Sequence, residues 1–179
     1  LELIDATPQI LGIMAFGAAP APNGPFGLIQ AMHFSKTLLL AGKAEFSTSD
    51  AQYFEEACFG TFADLQFVDT LKRTDKRMRP SVVRNILYGY GMSQKARLEA
   101  SATPVCLLHG RNEPLIRTSY MESLSNPMLY TGKSIIIENS GHAPFVDAQP
   151  EFDRVLKDFA DAVTSGTMHR NLPALVNAA

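Results

Sequence analysis

The sequence is poor in cysteine and nearly balanced in charge. Its 179 residues include two cysteines, Cys58 and Cys106, which are too few for a disulfide framework and lack the spacing of metal ligands. We therefore expect a reducing compartment and assign the protein to the cytoplasm. The formal net charge is −2, and we interpret the densest basic stretch, residues 72–79, as a solvated helix end or loop. Both properties argue against nucleic acid as a main partner, because phosphate binding needs clustered Lys and Arg.

Features that point to membranes or cofactors are also missing from the sequence. No run approaches the roughly 18 apolar residues of a membrane span, and the first residues lack the basic region and cleavage site of a signal peptide. No glycine-rich phosphate loop is present, and His, Cys, Asp and Glu do not cluster with metal-ligand spacing. We predict no membrane partner, no cofactor and no metal.

Three short apolar runs predict strands that are buried on both faces of a parallel sheet. They are residues 10–17, 104–108 and 133–138. Residues 1–6 resemble the end of a helix that Thr7 and Pro8 close, so the chain is expected to begin in the middle of a fold.

Between the first two strands the pattern becomes helical. Ser49 and Asp50 are predicted to cap a helix that continues through Tyr53, and Pro80 is predicted to open another. Strand-like runs are absent from this part of the chain. Residues 26–100, which we call the cap segment, are therefore predicted to be an all-helical insertion of the size of a lid.

The rest of the chain returns to alternating strands and helices. Residues 119–124 are predicted to be helical, and residues 150–163 form a clear amphipathic pattern. The order of elements predicts the second half of an open parallel α/β sheet. The predicted division is a partial core with a helix end and a strand (1–25), the helical cap (26–100), the C-terminal part of the core (101–163) and a loose tail (164–179).

An acid and a histidine follow the second and third predicted strands. Glu113 lies in the loop 110–114 and His142 in the loop 140–144. A hydrolase base must reach a nucleophile, and a buried carboxylate can hold its tautomer, so we predict His142 as the base and Glu113 as the acid. The alternatives are a surface histidine and a turn glutamate, with Asn112 orienting the loop instead.

The sequence offers a weaker candidate in the cap segment and no nucleophile. Tyr53 is, by pattern alone, better explained as a packing aromatic, although its hydroxyl could stabilise a substrate oxygen. A nucleophile elbow needs Gly-x-Ser-x-Gly, and the nearest match, residues 91–95, lacks the second glycine.

At these residues the chain resembles the α/β-hydrolase family, over nearly everything up to Val163. More narrowly, it is similar to the N-acyl-homoserine lactone hydrolases of that fold. In that subgroup the acid is a Glu directly before a Pro, as Glu113 is, and a tyrosine at the position of Tyr53 contacts the lactone. The resemblance rests on four stretches, residues 11–20, 46–53, 110–114 and 139–145.

The resemblance implies a serine hydrolase of carboxylic esters or lactones, with N-acyl-homoserine lactones as substrates and an acyl-enzyme as intermediate. It also implies that the serine lies a few residues before Leu1, so that the chain is a C-terminal fragment which is inactive without its missing N-terminal segment. Two alternatives stay open. One is a dehalogenase or epoxide hydrolase with an Asp nucleophile, and the other is a non-catalytic ligand-binding relative.

Overall fold

A three-stranded parallel sheet organises the computed structural model, which describes residue 7 and residues 9–62 and 65–170. Its strands are β1 (Ile13–Phe16), β2 (Val105–Gly110) and β3 (Ile135–Ile137), and they lie in that order across the sheet. Ile13 is in register with Val105, and Leu108 with Ile135. The predicted helix end at residues 1–6 lies outside the described residues.

The strands differ in how deeply they are buried. Each residue of β2 is buried, as its continuous apolar run predicts. Residues 10–17 contain a strand, as predicted, but β1 is shorter than this run, and the predicted burial on both faces is wrong because its Phe16 is 39% exposed. Among the described strands β1 pairs with β2 alone, which leaves its other edge uncovered by a strand.

The described residues of the cap segment are mainly helical. Ser47, not Ser49, caps the helix that carries Tyr53: its hydroxyl accepts a hydrogen bond from the Asp50 N–H at 3.1 Å, and the Asp50 carboxylate accepts one from the Ser47 N–H at 2.9 Å. Pro80 does not open its helix as predicted, because the helix begins at Met78 and Pro80 is its third residue. The helices are α1 (Pro25–Ala31), α2 (Lys36–Ala41), α3 (Thr48–Phe59), α4 (Leu65–Arg73), α5 (Met78–Tyr88) and α6 (Gln94–Ala100), with a 3-10 turn at Gly60–Phe62.

Within residues 111–170, β2 is followed by the α-helices α7 (Thr118–Ser123), α8 (Pro144–Asp147) and α9 (Gln149–Thr164) and by a 3-10 turn at Tyr130–Gly132. The start of the predicted tail is ordered, since Thr164 still belongs to α9 and a 3-10 turn covers Thr167–Arg170. None of the helices in the described part of the chain is both long and apolar enough to cross a membrane.

The sheet separates two apolar clusters. On one face, Phe152, Val155 and Phe159 of α9 pack with Cys106 and Leu108 of β2. On the other face, Val105 and Leu107 share a cluster with α7 and with residues of the cap segment. This alternation along β2 follows from the period of two residues in a strand.

Hydrogen bonds also tie the cap segment to the core. The Arg117 N–H donates to the Ala31 carbonyl at 2.8 Å, and the Arg117 Nε donates to the Met32 carbonyl at 2.8 Å. These bonds place α1 and the segment after Glu113 side by side.

Candidate active site

Two loops meet where β2 and β3 end. Gly110 ends β2, and a Cβ at this position would lie 2.1 Å from the Ser140 carbonyl oxygen, so a side chain is excluded. Two residues later, the Asn112 N–H donates to that same oxygen at 2.8 Å. Because the carboxyl ends of parallel strands share one edge of the sheet, the two loops that carry Glu113 and His142 are joined directly.

The structure brings Glu113 and His142 together across a separation of 29 residues in the chain. His142 Nδ1 lies 2.8 Å from Glu113 Oε2 and 3.0 Å from Oε1. The Glu113 side chain is fully buried, and its Oε1 also accepts a hydrogen bond from the Leu115 N–H at 2.9 Å. A carboxylate accepts hydrogen bonds, so Nδ1 carries the proton of the neutral imidazole.

His142 keeps access to solvent, with 26% of its side chain exposed. Its hydrogen bonds to other described residues involve Nδ1, which leaves Nε2 free to accept a proton. This arrangement is a buried acid, an oriented imidazole and an open second nitrogen, which is what a general base requires.

Gly17 supports the imidazole from β1. It directly follows the strand, has φ +58°, and a Cβ there would lie 3.2 Å from both His142 Cε1 and the His142 carbonyl oxygen. A side chain at this position would be strained and would press on the ring. The sequence analysis did not assign Gly17 to the site, although a glycine directly after a strand is a recognisable signal.

Asp147, which is also absent from the predicted site residues, holds the loop that carries His142. Its carboxylate accepts hydrogen bonds from the Ser140 hydroxyl at 2.5 Å and from the Gly141 N–H at 2.7 Å. Ser140 is completely buried. The signal in the sequence is an acid shortly after the histidine, at the end of the short helix α8 that follows its loop.

Tyr53 is 38% exposed, and Lys36 Nζ lies 3.7 Å from the centre of its ring. No described hydrogen bond joins it to Glu113 or His142. Cys58, also on α3, is buried in the apolar cluster that the cap segment shares with β2. Burial raises the pKa of the Cys58 thiol to about 12, with a smaller contribution from the negative charge of Glu113.

A groove of about 970 Å³ lies between α1, α2 and α5. Its walls are largely apolar, and Lys36 and Arg117 are among the residues that line it. Neither Glu113 nor His142 lines this groove. Lys36, which does line it, also contacts the ring of Tyr53.

His109 is a buried histidine, one residue before the end of β2. It is 1% exposed, and neither ring nitrogen has a hydrogen-bond partner among the described residues. Burial lowers the pKa of its imidazole, although the charges of Glu113 and Glu122 oppose this effect. No three His, Cys, Asp or Glu side chains of the described residues are arranged to hold a metal ion.

Comparisons with known proteins identify the fold. No protein-family model and no curated protein matches the chain. Among solved structures, the chain is similar to a variant of the N-acyl homoserine lactonase AidH in complex with N-hexanoyl homoserine lactone, with 28% identity and a TM-score of 0.85. The match covers 92% of this chain and 60% of the lactonase chain, so this chain spans about three fifths of that protein.

Two esterases share the fold at lower identity. An esterase from Rhodococcus sp. is 17% identical with a TM-score of 0.62, and the match covers 86% of this chain and 56% of the esterase. A carboxylesterase from Bacillus subtilis is 19% identical with a TM-score of 0.57, and the match covers 86% and 53% of the two chains.

The predicted fold class is thereby confirmed. The parallel sheet with a helical insertion is that of the α/β-hydrolases, and the aligned three fifths of the lactonase are consistent with its C-terminal part. The chain therefore has the fold of the α/β-hydrolases and resembles, among proteins of that fold, the N-acyl-homoserine lactonases.

Proposed function

We propose that this chain supplies the acid and the base of a hydrolase that cleaves carboxylic esters or lactones, with N-acyl-homoserine lactones as its substrates. One observation carries the proposal: a fully buried Glu113 carboxylate lies 2.8 Å from His142 Nδ1, on adjoining loops at the end of a parallel sheet. The two buried cysteines without disulfide bonds fit a reducing cytoplasm as the location of the protein.

His142 acts first as a base. Its Nε2 takes the proton of a serine hydroxyl while the serine oxygen attacks the carbonyl carbon of the substrate. The imidazolium then returns this proton to the leaving alkoxide, and an ester between the serine and the acyl group results. Water, deprotonated by the same nitrogen, then attacks the acyl carbon; the bond to the serine oxygen breaks, that oxygen takes the proton back from His142, and the acid is released.

Glu113 stabilises the positive charge that His142 carries in both steps. The carboxylate is buried, so its attraction to the imidazolium is weakly screened by water. It also holds the proton on Nδ1, which leaves the lone pair on Nε2 for the nucleophile.

The serine itself is proposed to come from outside the 179 residues, because the sequence contains no Gly-x-Ser-x-Gly elbow. The lactone preference is supported by the similarity to AidH, whose solved complexes contain N-hexanoyl homoserine lactone and N-butanoyl homoserine. Tyr53 of the cap segment is proposed to contact the polar head of the substrate.

The test is hydrolysis of N-hexanoyl homoserine lactone by the full-length gene product and its variants. We expect His142→Ala to lower kcat on the order of a millionfold and Glu113→Gln on the order of ten-thousandfold, because the base transfers the proton and the acid only orients and stabilises it. His33→Ala, which removes an exposed histidine, is the matched control and should leave kcat unchanged.

Labelling of the parent protein by a fluorophosphonate should accompany turnover and should depend on His142. A parent protein that is neither labelled nor active on the lactone or on a nitrophenyl ester would refute the hydrolase proposal. Equal losses in the two variants would instead show that Glu113 is as indispensable as the base.

A further inference from the structure

Asp147 closes the loop that carries His142. The residue ends α8, which begins directly after Ala143, and its carboxylate turns back toward the start of the loop. There it accepts the hydrogen bonds of the Ser140 hydroxyl at 2.5 Å and of the Gly141 N–H at 2.7 Å. Both donors precede His142 in the chain, so Asp147 bridges the residues on either side of it.

The same loop is fixed from the other side by the acid loop. The Asn112 N–H donates to the Ser140 carbonyl at 2.8 Å, and Gly110 allows the backbone contact. The Ala143 carbonyl accepts the Asp147 N–H at 3.1 Å, which completes a ring of hydrogen bonds around the His142 backbone. With this backbone held, the direction of the imidazole toward Glu113 is set.

We propose that Asp147 is a positioning residue for His142 and acts through Ser140 and Gly141. In its kinetic consequences this inference rests on the proposed function. A general base works only within hydrogen-bond reach of the proton that it takes, and an error of about 1 Å in its place can cost on the order of a hundredfold in rate. Asp147 maintains that reach without touching the substrate.

Because of the chemistry of the two donors, one substitution can remove the negative charge of Asp147 and still retain both of its hydrogen bonds. An Asn side chain can accept the Gly141 N–H on its oxygen, and its NH₂ group can donate to the Ser140 oxygen, because a hydroxyl both donates and accepts. Asp147→Asn thus retains both contacts without the charge. Asp147→Ala leaves a buried hydroxyl and a backbone N–H without their acceptor.

The first experiment does not depend on turnover. In the proton NMR spectrum of the full-length gene product, the Nδ1 proton of His142 shared with Glu113 should give a low-field signal. We expect Asp147→Ala to broaden or shift this signal and Asp147→Asn to retain it. Asp153→Ala, which removes an exposed acid from α9, is the matched control and should leave the signal unchanged.

The second experiment measures kcat and KM on N-hexanoyl homoserine lactone, with active sites counted by fluorophosphonate labelling. Asp147→Ala should lower kcat per active site by about tenfold to a hundredfold with KM nearly constant, and Asp147→Asn should restore most of the loss. If Asp147→Ala does not fold, Ser140→Ala takes its place, with a smaller loss expected because one of the two bonds remains.

The outcomes distinguish this inference from the proposed function. A parent protein that shows the low-field signal but no turnover refutes the hydrolase proposal, and the signal alone then decides the role of Asp147. An unchanged signal and kcat in Asp147→Ala, or equal damage in Asp147→Asn, would overturn the positioning role.

Discussion

The hydroxyl of Tyr53 is the group of the cap segment that the resemblance assigns to the substrate. Its ring already has a structural partner, since Lys36 Nζ lies 3.7 Å from the ring centre. A phenylalanine retains that cation–π contact, because the interaction uses the face of the ring. Substitution by Phe therefore separates a role of the hydroxyl from a role in packing.

We predict that Tyr53→Phe leaves the melting temperature unchanged and lowers kcat/KM on N-hexanoyl homoserine lactone by about tenfold to a hundredfold, the equivalent of about 1.5–3 kcal/mol for one hydrogen bond to a developing charge. The loss should be smaller on nitrophenyl acetate, which has no lactone head. Tyr88→Phe, on the exposed face of α5, is the control. Equal activity of the two variants on both substrates would leave Tyr53 as a packing residue.

The residues of the candidate site differ in how far the sequence could predict them. Glu113 and His142 each follow a strand signal and precede a proline closely, so their order along the chain predicts a shared sheet edge. The contacts of Gly17 and Asp147 depend on how closely separate segments approach the His142 loop. The periodicity of apolar residues predicts helices and strands but not this approach. The N-cap residue of α3 is Ser47, in the sequence Ser47-Thr48-Ser49-Asp50, whereas the prediction places the N-cap two residues later, at Ser49.

At the scale of elements, β2 carries a buried histidine in an otherwise apolar strand. The unfolded chain binds a proton on His109 near its ordinary pKa of about 6.5, whereas burial lowers this pKa in the folded protein. As the pH falls through this window, the unfolded state holds more protons, and the folded state loses stability. Glu113 and Glu122 reduce this effect and Arg111 adds to it.

We predict that the free energy of unfolding decreases less between pH 7.5 and pH 5.5 in His109→Leu than in the parent protein. Leucine suits the site because Val105 and Leu107, on the same face of β2, belong to an apolar cluster. Urea titrations at several pH values provide the measurement, with His33→Gln as a control for an exposed histidine. An identical pH dependence in the parent and in His109→Leu would contradict the prediction.

The lengths of the strands show where an element depends on its neighbours. The run of residues 10–17 is as apolar as that of β2, yet β1 covers half of it and stays partly exposed. Burial of a strand requires cover on both faces and pairing at both edges, and a single sequence reports neither. By contrast, the amphipathic pattern of α9 predicts the burial of Phe152, Val155 and Phe159, because the periodicity lies within the helix itself, although Leu156 of the same pattern is 43% exposed.

At the scale of the whole molecule, the cap segment and the core are joined by one apolar cluster. Ala31, Cys58 and Leu98 of the cap segment pack in the same cluster as Val105 and Leu107 of β2. The predicted boundaries near residues 25 and 100 therefore run through shared packing. Whether they separate domains stays a prediction.

Cys58 and Cys106 lie in the two apolar clusters on opposite faces of the sheet, so the two thiols can report the opening of each cluster separately. Both are buried, and burial raises the pKa of each thiol to about 12, so the native protein presents almost no thiolate to a disulfide reagent at pH 8. Modification must then wait for local or global unfolding. Exposure of Cys58 requires that α3 leave the cluster that the cap segment shares with β2. Cys106 lies in the middle strand beneath α9, so its exposure requires that the core itself open.

We predict that Cys58 is modified before Cys106 when the folded protein is incubated with an aromatic disulfide, with mass spectrometry to locate each adduct. Cys58→Ser should remove the faster phase and leave the slower one. Modification of Cys106 first, or of both at the rate of a free thiol, would contradict this order. The ratio of the two rates would then measure how often the cap segment detaches from β2 for each time that the core around the sheet opens.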